Sequence, residues 1–275
     1  MILGRVIPLV LSLALTGVAV AQQSIRAEAD APLTLEQVLT NIEQRDAQRA
    51  AALQQFEGKR TYRMRYRGFA GDKDAEMVVK VTFHAPNTKE FTVVSETGSR
   101  FAIDHVFKKL LEGEQEAAAG ENRRGTALTR ENYEFELEAF HSAPNGGQYV
   151  LKLLPKTKNR FLYRGKIWVD ANDFAVVRIE GEPGKNPSMW IKKTDIAQRY
   201  VKIGNFWLPA ENRTESSIRL GGRATLSIKY EDYRIIKSAP FRAPKNGGPS
   251  GDAILPSLAD DSANWISRVA RNGSQ

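Results

Sequence analysis

Residues 165–193 read GKIWVDANDFAVVRIEGEPGKNPSMWIKK and concentrate groups that could do chemistry. Asp170 and Asp173 stand three apart, and Glu180 and Glu182 flank one glycine. Paired carboxylates are the raw material of general acid–base catalysis. Here, however, Asp170 and Asp173 bracket Ala-Asn between two strand patterns, where Asp and Asn are the residues a turn needs. Glu180 and Glu182 close the second strand pattern. The structural reading is therefore preferred for all four.

Other chemistry has less local support. His84, His105 and His141 are far apart, and no HExxH spacing brings two of them to one helix face. GxSxG, a P-loop, and GxGxxG opening a helix are all missing from the sequence. Arg63, Arg65 and Arg67 form one charged row, and Glu134, Glu136 and Glu138 another. Each suits the solvated face of a strand, and the two rows would steady each other if their strands were neighbours. Lys152, Lys156, Lys158, Arg160, Arg164 and Lys166, interleaved with Phe161 and Tyr163, read as a solvated hairpin region that is also compatible with contact to an anionic membrane.

The elements that carry these residues follow from periodicity. Residues 33–57 are expected to be a helix. Leu35, Val38, Leu39, Ile42, Leu53 and Phe56 mostly keep the helical period, and Pro32 and Thr34 suit the start. The stripe is interrupted at residues 45–50, so this helix should lie on a surface or cover something. From residue 60 the period becomes two. Tyr62, Met64 and Tyr66 oppose Arg63, Arg65 and Arg67, and Met77, Val79, Val81 and Phe83 alternate with polar residues. Phe91 and Val93 continue the apolar face. Residues 103–119 read as a second helix. Strands then resume at Tyr133, Phe135 and Leu137, and continue through 149–153, 161–170, 175–180, 200–203, 214–220 and 224–233. About ten strands with one apolar face and turn-rich spacing describe a sandwich or barrel.

The ends and the composition bound the setting. Arg5 precedes a mostly apolar run to Val20, and Ala19-Val20-Ala21 fits a signal-peptidase site. The run is short of the roughly 20 residues that span a bilayer. A signal peptide at 1–21 and a periplasmic location are expected. The chain has no cysteine, so disulfides and an N-terminal lipid anchor on cysteine are excluded. Two sequon matches, at Asn212 and Asn272, are chance in a periplasmic protein. The net charge of +8 favours anionic partners, and export makes nucleic acid the least expected of them. Residues 238–275 hold four of the twelve prolines, show no periodicity, and read as an extended tail. The expected organisation is a signal peptide at 1–21, one domain at 33–237 and a tail at 238–275.

Residues 161–183 (FLYRGKIWVDANDFAVVRIEGEP), 186–193 (NPSMWIKK), 200–209 (YVKIGNFWLP) and 228–233 (IKYEDY) resemble the LolA-like superfamily of outer-membrane lipoprotein-sorting proteins. Its members include the periplasmic carrier LolA and the N-terminal domain of the stress regulator RseB. The resemblance spans residues 34–236 in layout. It implies a mainly β fold with α, an incomplete and strongly curved antiparallel half-barrel lidded by helices, and no enzymatic activity, cofactor or metal. It implies a carrier of lipid or lipoprotein acyl chains, or alternatively an envelope sensor that binds a protein through the same domain. Candidate cavity residues are Tyr62, Met64, Tyr66, Val79, Val81, Phe83, Phe91, Val93, Tyr133, Phe135 and Leu137, each of which could equally be ordinary core. The expected partners are acyl chains and an inner-membrane transporter or envelope protein. Peripheral membrane contact is compatible with this, and a monomer is expected. The lid arginine known in LolA has no match at any one position here. The tail departs from the family.

Overall fold

The alternation in residues 60–67 sets the architecture. Tyr62, Met64 and Tyr66 are buried, whereas Arg63 and Arg65 are exposed, so one strand face is core and the other solvent. The computed structural model describes residues 32–241, apart from 70, 118–124, 126, 145, 160, 187–188, 190 and 220. The signal peptide expected at 1–21 and residues 242–275 of the expected tail lie outside the described residues.

Helix α1 (Leu35–Ala52) leads into β1 (Leu53–Gly68), β2 (Lys73–His84) and β3 (Thr88–Gly98). A helical segment follows, made of α2 (Arg100–Ala102), a π-helical turn (Ile103–Phe107) and α3 (Lys108–Ala117). The chain then forms β4 (Tyr133–Ala143), β5 (Gly146–Pro155), β6 (Tyr163–Asp170), β7 (Val176–Pro183), β8 (Ile191–Ile203), β9 (Phe206–Ile218) and β10 (Gly222–Ser238). All ten strands lie in one antiparallel sheet, ordered β3-β2-β1-β10-β9-β8-β7-β6-β5-β4. Every neighbour pair is a hairpin except β1–β10. The edges β3 and β4 are consecutive in the chain but do not pair with each other. The sheet is therefore an incomplete barrel, and the segment joining its two edges carries α2, the π turn and α3. Register shifts place extra residues in β1, β3, β4, β7, β8, β9 and β10 and increase the local twist.

The helical segment packs on the inner face of β1, β2 and β10. Ile103, Val106, Phe107 and Leu110 bury against Tyr62, Met64, Met77, Val79, Leu226 and Ile228. A second cluster joins the end of α1 to the sheet through Ala52, Leu53, Phe56, Phe83, Phe206 and Leu208. Phe56 stacks on Phe83 with ring centroids 5.1 Å apart.

Two sequence expectations are corrected, and one open alternative is decided. The helix expected to reach residue 57 ends at Ala52, and Leu53 opens β1. The three-residue spacing of Leu53 and Phe56 is helical, but a register shift between Leu53 and Gln55 lets both bury in one cluster, and pairing of Phe56 with Phe83 and Ile235 makes the segment a strand. The strands expected at 200–203 and 214–220 are Ile191–Ile203 and Phe206–Ile218. They escaped recognition because Thr194, Gln198, Asn212, Thr214 and Ser216 point inward and are buried, which hides the apolar alternation. The arginine and glutamate rows are not on neighbouring strands. β1 lies between β2 and β10, while β4 pairs with β5. Arg63 instead meets Glu76, and Glu136 and Glu138 meet Lys152 and Lys166.

The motif that carries the family resemblance is the β6–β7 hairpin. Gly165 opposes Gly181 in its register. A Cβ on Gly165 would stand 2.0 Å from the Glu180 carbonyl oxygen, and one on Gly181 2.3 Å from that of Arg164. The two strands approach too closely there for any side chain.

Candidate functional site

The two aspartates of the opening stretch hold a turn. The Asp170 carboxylate accepts from the backbone N–H groups of Asn172 and Asp173, at 3.0 and 2.8 Å. The Asp173 carboxylate accepts from the Trp207 indole N–H at 2.8 Å and pairs with Lys202 at 2.5 Å. Burial opposes ionisation of Asp173, but the Lys202 and Trp207 bonds outweigh it and hold the carboxyl below its usual range. The backbone of the same turn accepts from Arg49 of α1, at 2.9 Å to Asp173 O and 3.2 Å to Phe174 O. The turn thus ties β6–β7 to α1 and to the β8–β9 hairpin.

Beside this tie lies a cavity of about 110 Å³ between α1 and the inner face of the sheet. Its walls are mostly aromatic and aliphatic: Phe56, Phe83, Tyr200, Phe206, Trp207 and Tyr233, with Leu53, Val176, Leu208 and Pro209. Two charged groups of residues border it. One is Asp46 with Arg49 on α1. The other is Arg60 of β1 and Lys89 of β3, both paired to Glu114 of α3. Apolar cavities of on the order of 150 Å³ stay dry and take benzene-sized molecules.

The charged neighbours are set by burial. Arg60 is 6% exposed, and its guanidinium grips Glu114 through two bonds, at 2.5 and 3.1 Å. It also donates to the Tyr62 hydroxyl at 3.2 Å and lies 5.0 Å from the Tyr230 ring centroid. Burial alone would raise the Glu114 pKa, but Arg60 and Lys89 hold it well below the carboxylate range. Asp46 is the opposite case. Burial pushes its pKa up to about 6, against the pull of Arg49. One Asp46 oxygen is paired with Arg49, and the other, Oδ2, is buried with no hydrogen-bond partner among the described residues. A shallow, more polar groove of about 410 Å³ lies elsewhere, lined by Arg63, Arg65, Asp74, Glu76 and Arg213 among others.

Of the eleven cavity candidates from the sequence, Phe83 is the one that lines the α1 cavity. Tyr62, Met64, Tyr66, Val79 and Val81 lie in the core beneath the helical segment, and Phe91 packs at its margin. Val93 is 42% exposed on the edge strand β3. Tyr133 is buried on β4, where its hydroxyl accepts from the Tyr163 N–H at 3.1 Å. Phe135 and Leu137 are half-buried on the same strand. The structure thus groups five of the eleven with Phe91 under the helices and separates them from the β4 residues. Pattern reading passed over Asp46, Arg49, Ala50 and Arg60. Two signals pointed to them: the polar break in the α1 stripe at residues 45–50, and Arg60 in the inward phase of β1.

No family model matches the chain, and no curated protein matches it. Solved structures similar to it include a DUF1329 family protein from Desulfovibrio piger, at 12% identity over 74% of this chain and 93% of that one, with a TM-score of 0.37. A domain described as an outer-membrane lipoprotein-sorting protein, from Vibrio parahaemolyticus, is 12% identical over 82% of this chain and 100% of that one, with a TM-score of 0.36. A LolA superfamily protein from Nitrosomonas europaea is 14% identical over 77% of this chain and 98% of that one, with a TM-score of 0.32.

Proposed function

We propose that the protein is a non-enzymatic periplasmic carrier that holds the acyl chain of a lipid or lipoprotein on the inner face of its open sheet. The observation that carries this reading is the aromatic-walled cavity under α1, which neither α1 nor the helical segment fills. The space takes part of an acyl chain, and each methylene removed from water there gains about 0.8 kcal/mol. Export by a signal peptide cleaved after Ala21 belongs to the same proposal, as does action without a cofactor.

The test is binding of a neutral, environment-sensitive naphthylamine probe to the purified protein. Ala50 lines the cavity from α1, so Ala50→Trp fills the space without adding charge. The wild type is expected to enhance probe fluorescence, and Ala50→Trp to lose the enhancement while keeping its far-UV circular dichroism. A folded wild type that binds no acyl ligand or probe sinks the carrier reading. A second reading then takes its place, a sensor that binds an envelope protein. It is supported by the outer edge of β3, which pairs with no strand among the described residues and where Val93 and Val94 are 42% and 55% exposed.

A further inference from the structure

The cavity under α1 is apolar, yet its wall includes a carboxylate. Asp46 is 4% exposed, and its Oδ2 has no hydrogen-bond partner among the described residues. A buried acceptor left unpaired is costly, so its environment calls for a donor. The cations around the cavity are already engaged. Arg49 bonds Asp46 Oδ1 and the carbonyl oxygens of Asp173 and Phe174. Arg60 holds Glu114 by two bonds and the Tyr62 hydroxyl by a third. Lys89 is bound to the same Glu114. An anionic head group would find these donors committed and would face the Asp46 carboxylate. In the ionised carboxylate the open valence is an acceptor, and its partner must bring a hydrogen.

We propose that Asp46 is a polar-head recognition residue, and that the cavity selects uncharged acyl ligands whose head carries a hydroxyl or amide N–H. The proposal rests on the carrier reading and names the chemistry of its ligand. The ligand's apolar body lies among Phe56, Phe83, Phe206 and Trp207, and its head donates to Asp46 Oδ2. Specificity of this kind is stronger than discrimination by chain length, because the ligand lacking the donor leaves a buried acceptor unpaired.

The test uses four ligands of one chain length on the full chain: decanol, decanamide, methyl decanoate and decanoate. Each is titrated at pH 8 against the bound naphthylamine probe. Decanol and decanamide are expected to compete at least about tenfold better than methyl decanoate, which has no donor, and better than decanoate. In Asp46→Leu, with each ligand referred to the probe affinity of that same variant, the advantage of decanol and decanamide over methyl decanoate should vanish. The wild-type series is decisive even if that variant does not fold. Equal competition by all four ligands overturns the proposal and leaves the carrier reading intact. Tightest competition by decanoate also overturns it, because the cations would then be the anchor. Failure of all four, with no probe bound, overturns the proposal and the carrier reading together.

Discussion

Glu114 should be the residue whose loss the fold feels most outside its apolar core. It is the carboxylate partner of Arg60, whose side chain is 8% exposed, and it joins α3 to β1 and to β3 through Lys89. Removing one partner of a buried ion pair leaves an uncompensated charge and costs about 3–5 kcal/mol. Lys89 escapes most of this, since its side chain is 27% exposed and can turn to water. Arg60 cannot, because it is packed between the Phe91 and Tyr230 rings, 5.4 and 5.0 Å from their centroids. Glu114→Gln is therefore expected to lower stability by about 3–5 kcal/mol and Tm by roughly 6–20 °C for a domain of this size. The double variant Arg60→Met/Glu114→Leu removes both charges and should recover most of that loss. Urea unfolding of the four proteins in the cycle measures it. The pH dependence supplies a second check. The folded-state pKa of Glu114 is depressed, so its stabilising contribution is present above the ordinary value of 4.5 and fades as pH falls below it. The wild type should lose stability more steeply than Glu114→Gln below about pH 4.5. A Glu114→Gln cost under about 1 kcal/mol, or a double variant as unstable as the sum of the singles, would refute the reasoning.

Asp46 should show the reverse sign. Its folded-state pKa is raised from 3.8 to about 6, so the folded protein holds a proton that the unfolded chain releases, and stability is lost as pH rises through that window. Relative to the wild type, Asp46→Asn should gain up to about 3 kcal/mol between pH 4 and pH 7, at about 1.36 kcal/mol per pKa unit, read by urea unfolding at each pH. Gly181→Ala should destabilise by about 1–3 kcal/mol or more, since its Cβ would meet the Arg164 carbonyl oxygen at 2.3 Å, and a denaturant midpoint unchanged from wild type would contradict that contact. Asp173→Ala removes the partner of the Trp207 N–H and of Lys202. It should cost about 1–3 kcal/mol and shift the Trp207 emission, measured as the difference from the same variant carrying Trp207→Phe. The chain should tolerate truncation after Phe241 but not after Lys237. β10 runs through Ser238, the Ala239 N–H donates to the Ala52 carbonyl at 2.8 Å, and Phe241 packs 5.8 Å from Phe206, so differential scanning calorimetry should separate the two truncations.

The strand content was legible wherever one face is apolar and the other charged. Tyr62, Met64 and Tyr66 against Arg63, Arg65 and Arg67 mark β1 without any knowledge of its partners. The turn role of Asp170 was legible from residue type alone, because Asp before Asn between two strand patterns caps its own turn. The ends of β8 and β9 were not, since their inward positions are Thr, Gln, Asn and Ser, which satisfy one another across the strands. Thr194 and Ser216 do so at 2.8 Å. Nor was the end of α1, where the spacing of Leu53 and Phe56 is helical and a register shift in β1 brings both into one cluster.

What the sequence determined by itself is the period of each segment, and with it a one-sided antiparallel sheet interrupted by two helical stretches. Period is a local property, set by which side chains must leave water. Which apolar residues would be filled core and which would wall an open space was decided by tertiary structure alone. Val81 and Phe83 stand two apart on the same face of β2, yet Val81 lies beneath the helical segment and Phe83 lines the cavity under α1. The difference arises from the connection between the sheet's edges. It lays its helices over one part of the inner face, and no periodicity within a strand records where a distant helix comes to rest.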